Sequence, residues 1–194
     1  MTLRALLTIA AHFAAGLAFT VPATAACNVE ADTAAEMTEH QITAFYDCMQ
    51  SVMIEGYTTG DNDVARAYRD WTVTSTRPAV AGAHGSRFLQ TFANDVAADD
   101  YLTFASGGVD MPAGSVLAKE SFSLKDGAGV VGPLFIMTKL GDGDSPETGD
   151  WAYSAVTPAG AMMGVSQSFC HDCHVAWEAQ DMLAYPLDEV RVSN

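Results

Sequence analysis

Ser115-Val116-Leu117-Ala118-Lys119-Glu120-Ser121-Phe122-Ser123-Leu124, joined by Lys125-Asp126-Gly127-Ala128-Gly129 to residues 130–140, reads as one long β-hairpin. Both arms are apolar and β-branched, and an Asp-Gly connector is the turn chemistry that a tight hairpin requires. Side chains alternate along a strand. Leu117, Lys119 and Ser121 therefore share one face, while Val116, Ala118, Glu120 and Phe122 share the other. Glu120 thus sits among apolar neighbours, where a carboxyl needs a partner or a raised pKa. Outward from the hairpin, residues 71–76, 87–92 and 151–157 read as further strands, and residues 96–104 as a small helix. Met111-Pro112-Ala113-Gly114 is a turn, residues 141–149 are a polar loop, and Pro158-Ala159-Gly160 closes the last strand. Upstream, Met37, Ile42, Phe45, Tyr46, Met49, Val52 and Met53 form the apolar stripe of a helix over 34–55, and a short helical turn follows at 64–68. Residues 168–183 are helical again until Pro186 stops them. The fold class is α+β: a small antiparallel sheet with flanking helices, in a single domain.

The chain of 194 residues carries 9 Lys and Arg against 24 Asp and Glu, a formal charge of −15. That surface repels phosphate backbones and anionic lipids, which argues against a nucleic-acid binder or a polybasic membrane anchor. Arg4 precedes an apolar run over residues 5–20, then Pro22 and the small residues Ala23-Thr24-Ala25-Ala26. This is the layout of a secretory signal peptide over 1–26, cleaved near Ala25 or Ala26, and it predicts a periplasmic protein with no membrane contact after cleavage. A helical extension is expected over 27–66 and the main domain over 67–194. Of four cysteines, Cys27 and Cys48 fit a disulfide formed in an oxidising compartment.

Cys170 and Cys173 belong to Phe169-Cys170-His171-Asp172-Cys173-His174, which contains C-x-x-C-H. Two thiols three apart reach the two vinyl groups of one haem, and the adjoining His174 then ligates the iron. A thioredoxin-like redox pair, a zinc site or a plain disulfide could use the same two thiols. Export favours a single, covalently attached haem c on the C-terminal helix, held by Cys170, Cys173 and His174, with His174 the metal ligand. Met182 lies in that same expected helix, too near to reach across the ring, so a sixth ligand would have to come from the sheet or its loops.

Tyr68-Arg69-Asp70-Trp71, Gly114-Ser115-Val116-Leu117-Ala118-Lys119-Glu120, Gly149-Asp150-Trp151-Ala152-Tyr153 and the late C-x-x-C-H followed by Asp181 occur in that order. Together they resemble the cytochrome P-460 family and its relatives, the cytochromes c′-beta, over roughly residues 68–186. The resemblance implies a homodimer with one haem per subunit. In hydroxylamine-oxidising members a lysine is cross-linked to the macrocycle, and Lys119 corresponds to it. Gln90 or Arg87 falls nearest the family's distal arginine. The implied activity is hydroxylamine oxidation, with Lys119 and Glu120 as catalytic residues and a partner cytochrome accepting electrons. The alternatives are a cytochrome c′-beta-like nitric oxide binder, whose apolar pocket carries no cross-link, or a simple electron carrier.

Overall fold

The computed structural model describes residues 27–193, so the expected signal peptide and its cleavage point lie outside the described residues. The α+β expectation holds: eight strands pair antiparallel in one sheet. They are β1 (Thr72–Val73), β2 (Ala79–Ala81), β3 (Arg87–Ala93), β4 (Val116–Lys125), β5 (Ala128–Val131), β6 (Leu134–Lys139), β7 (Trp151–Val156) and β8 (Met162–Met163). The main order is β1-β3-β4-β6-β7-β8, with β2 also on β3 and β5 also on β4.

The hairpin turns at Asp126 and Gly127, whose φ values of 51° and 75° are the pair of positive angles a two-residue turn of this twist demands. Its second arm is not continuous as expected. Gly132-Pro133 divides it into β5 and β6, since Pro133 has no N–H to give to the ladder. The break is still tied to β4, because Ser121 Oγ donates to the Pro133 carbonyl at 2.5 Å. The strand expected over 71–76 shortens to β1, and β2 is too short to leave a period in the sequence.

Strand alternation then builds two cores. On one face Phe88, Phe92, Ala118, Phe122, Leu134 and Ile136 pack against the buried stripe of α1 (Glu39–Tyr57). Thr38 caps α1 by accepting from Gln41 N, so the helix starts later than the expected residue 34. The helix lies close on β5: a Cβ on Gly129 would stand 2.3 Å from Met49 Sδ and 3.0 Å from Phe45, so any larger residue there would have to displace the α1 side chains. The short α2 (Asp63–Ala67) follows and delivers Tyr68 and Arg69 beneath the sheet. The Cys27–Cys48 disulfide forms, with its Cα atoms 5.8 Å apart, and pins the start of the described chain to α1. On the other face Leu117, Met137, Trp151 and Tyr153 pack with Leu183 and with Ala97 and Tyr101 of α4 (Asp95–Tyr101). An irregular turn, α3 (Ala83–Ser86), joins β2 to β3 at the rim of this second face.

The helix expected over 168–183 ends early. The regular part, α5 (Gln167–His174), gives way to a 3-10 turn (Val175–Gln180), and Asp181 and Met182 then adopt left-handed φ values of 53° and 63°. Met182 is therefore not on the helix that carries the cysteines. No described helix is long and apolar enough to cross a membrane.

Candidate haem site

Ser166 caps α5 by accepting from Phe169 N. Gln167 then clamps the helix to β7: its amide accepts from Tyr153 N and donates to Tyr153 O, both at 2.7 Å. This presents Cys170 and Cys173 one turn apart. Both are free thiols, with Cys173 exposed and Cys170 half-buried. Burial pushes the Cys170 thiol above its ordinary pKa.

His174 ends the helix and is turned inward. Its Nδ1 lies 2.8 Å from the Met182 carbonyl, which makes Nδ1 the protonated nitrogen and leaves the Nε2 lone pair available. Burial lowers its pKa to about 4, so the ring is neutral at neutral pH, the form that binds a metal. The left-handed backbone at Asp181 and Met182 is what turns that carbonyl toward the ring. Lys139 holds this bend: its Nζ donates to both Asp181 oxygens, at 2.7 and 2.9 Å, and to Gly149 O at 3.0 Å. Asp181 also accepts from Met111 N at 2.9 Å and Trp151 Nε1 at 3.3 Å. Lys139 was not visible as a site residue in the sequence, since its partner lies 42 residues away in the chain.

The donor set fits a c-type haem. Two unpaired thiols and one neutral imidazole with its outer nitrogen already held are what such attachment uses. Phe169 (75 % exposed) and Trp177 (37 % exposed) leave aromatic surface beside the motif, suited to cover an apolar macrocycle. Cys27 and Cys48 are consumed in their own disulfide, and among the described residues no cluster of three or more metal-ligating side chains forms.

A family model described as cytochrome P460 matches residues 65–184. The chain belongs to the cytochrome P460 family. It is therefore a haem cytochrome of the P460 kind. No curated protein matches it.

Strand alternation puts Lys119 and Glu120 on opposite faces of β4, and the structure shows which of the two looks toward His174. Lys119 pairs with Thr91 and Phe135 in the ladder and lies on the His174 side of the sheet. It is half-buried, and among the described residues nothing accepts a hydrogen bond or ion pair from it. Desolvation lowers its pKa to about 8. Its field reaches both His174 and His84.

Glu120 points the other way, into the α1 core, and is fully buried. Its carboxylate accepts from Tyr68 at 2.5 Å, Tyr46 at 2.6 Å and Arg69 at 2.7 Å. Glu120, expected as a proton acceptor beside the iron, lies on the far face of β4 from His174, and three donors already use its oxygens. Burial raises its pKa, against the lowering effect of Arg69 and the two tyrosines. Gln90, paired with Glu120 across the ladder, shares that face and donates to Ser75 O at 3.0 Å. Of the two candidates for a distal arginine position, Arg87 is the one near α3, where its charge is felt by His84. His84 itself carried no signal in the sequence. It sits in a five-residue connection with no periodicity, and only folding brings it to the His174 side.

Proposed function

We propose that this P460-family chain is an exported, periplasmic mono-haem c cytochrome that oxidises hydroxylamine, with Cys170 and Cys173 bonded to the haem and His174 its metal ligand. The observation that carries the reading is that Lys119 lies on the His174 side, half-buried and with no acceptor among the described residues, while Glu120 is turned away and saturated. When bound, the haem would supply a redox iron able to bind the substrate nitrogen, with a partner cytochrome as the electron acceptor. The chain's own part is positional. Gln167 and the Lys139–Asp181 pair hold α5 and the Met182 carbonyl, and that carbonyl keeps the His174 proton on Nδ1. Lys119 Nζ, with its pKa lowered to about 8, is neutral in about a tenth of molecules at pH 7 and in that form can accept a proton; joining it to a ring carbon would replace an N–H and a C–H and release two protons and two electrons, which a two-electron oxidant of the peroxide class would have to accept. The Cys27–Cys48 bridge supports the exported location, since such bonds persist in oxidising compartments. A second copy of the chain is expected as its partner in a homodimer.

Peptide mass analysis of the haem-loaded protein tests the reading. A peptide containing Lys119 should remain joined to the haem peptide that contains Cys170 and Cys173, and Lys119→Ala should release it. If the two peptides separate freely in the parent, hydroxylamine oxidation is replaced by nitric oxide binding as the function.

A further inference from the structure

The connection between β2 and β3 places unusual backbone behind one side chain. Ala81 and Arg87 close the ladder, and within the five residues between them His84, Gly85 and Ser86 have φ values of 59°, 73° and 54°. Left-handed conformations are unfavourable for residues with a Cβ such as His84 and Ser86, and persist where the surrounding structure holds them. The product of that conformation is the inward turn of His84. Its neighbours Ala83, Gly85 and Ser86 are exposed, while His84 is half-buried. The His84 ring packs on Phe135, with centroids 4.4 Å apart, and Phe135 is the ladder neighbour of Lys119. Across from it stands His174, ring centre to ring centre 6.5 Å and nearly perpendicular at 80°. Among the described residues neither nitrogen of His84 hydrogen-bonds to the protein, so both are open to a ligand.

The separation bears on which of two roles the ring would take beside a haem. A metal–imidazole bond of about 2 Å puts each ring centre roughly 3 Å from the metal, so two axial imidazoles stand about 6 Å apart. A histidine that only hydrogen-bonds to a ligand on the iron must leave room for that ligand, which sets the rings roughly 2 Å further apart. The observed 6.5 Å matches the first arrangement. We propose that His84 is the second axial ligand of the haem iron, opposite His174, and that it must swing away on its exposed turn before a small molecule can bind. The proposal rests on His174 carrying the iron and is independent of the substrate assigned above.

The test is the spin state of the haem-loaded full-length protein, read by optical and electron paramagnetic resonance spectra. The ferric parent should be low-spin. His84→Gly should be high-spin, and free imidazole should return it to low-spin by filling the vacated position. Glycine suits the left-handed backbone, so this variant keeps its fold, and circular dichroism checks that it does. Cyanide should bind the parent at least about tenfold more weakly than His84→Gly, because it must first displace His84 in the parent. A high-spin parent overturns the proposal, and so does a His84→Gly variant that stays low-spin. Lys119 peptide mass reports on the proposed function alone, so either reading can fail without the other.

Discussion

Replacing Arg69 by methionine tests how the chain tolerates a carboxylate in its core. Glu120 is fully buried, and Arg69, at 2.7 Å, is its only cationic partner among the described residues; the Arg69 side chain is itself 21 % exposed. Arg69 also bonds Tyr46 at 3.0 Å and Gln50, so it ties α1 to β4 through Glu120. Breaking a buried pair by removing one partner costs roughly 3–5 kcal/mol, because the remaining charge is stranded. Two tyrosine hydroxyls stay on Glu120 and Arg69 is not fully buried, so about 3 kcal/mol is expected, the lower end of that range. For a chain of this size that is a fall in melting temperature of roughly 6–12 °C. The pH dependence identifies the cause. Burial already raises the Glu120 pKa and Arg69 lowers it, so its removal raises the folded value further. A group with a raised folded pKa contributes stability that is present below its unfolded pKa and lost as pH rises through the folded one. The Arg69→Met deficit should therefore be smaller near about pH 4.5 than near about pH 7.5. Urea unfolding at both values measures it, and Arg69→Met with Glu120→Gln should recover most of the loss. An equal deficit at both pH values, or one below about 1 kcal/mol at the higher, would refute the reasoning.

Asp181→Ala leaves Lys139 half-paired and frees the Met182 bend; a loss of about 3 kcal/mol is expected by urea unfolding, together with a shifted iron–histidine stretch in the resonance Raman spectrum of the ferrous protein in a His84→Gly background, where the iron should be five-coordinate. An unchanged stretch would show that the bend does not position His174. Cys48→Ser removes the bridge that closes a 21-residue separation and should cost about 3 kcal/mol of stability while leaving the haem spectrum untouched. Equal melting curves for variant and parent would remove the bridge from the account of stability.

The local features of this protein were legible in the chain because their physics is local. The two-residue alternation of a pleated strand is enough to sort Lys119 and Glu120 onto opposite faces, and Asp126-Gly127 announces the turn that pairs β4 with β5. C-x-x-C-H spacing identifies the thiols and His174 as one unit, and the ordered motifs point to the cytochrome P460 family to which the chain belongs. Helix ends were less legible. The apolar period over 168–183 continues past His174, but a buried Lys139–Asp181 pair outweighs helical propensity and bends the chain at Asp181 and Met182.

Which face of β4 looks at His174 was beyond the sequence, since alternation separates two faces without saying what covers either. Tertiary packing decided it: α1 covers Glu120, and α5 with its bend covers the side of Lys119. The same holds for every contact that closes a long loop. Lys139 meets Asp181 from 42 residues away, Arg69 meets Glu120 from 51, and the His84 ring comes to face His174 only when β2, β3 and β6 are assembled. Such pairings leave no periodic trace in either partner's neighbourhood. Closing each loop costs chain entropy, which the whole core offsets and no single segment can encode.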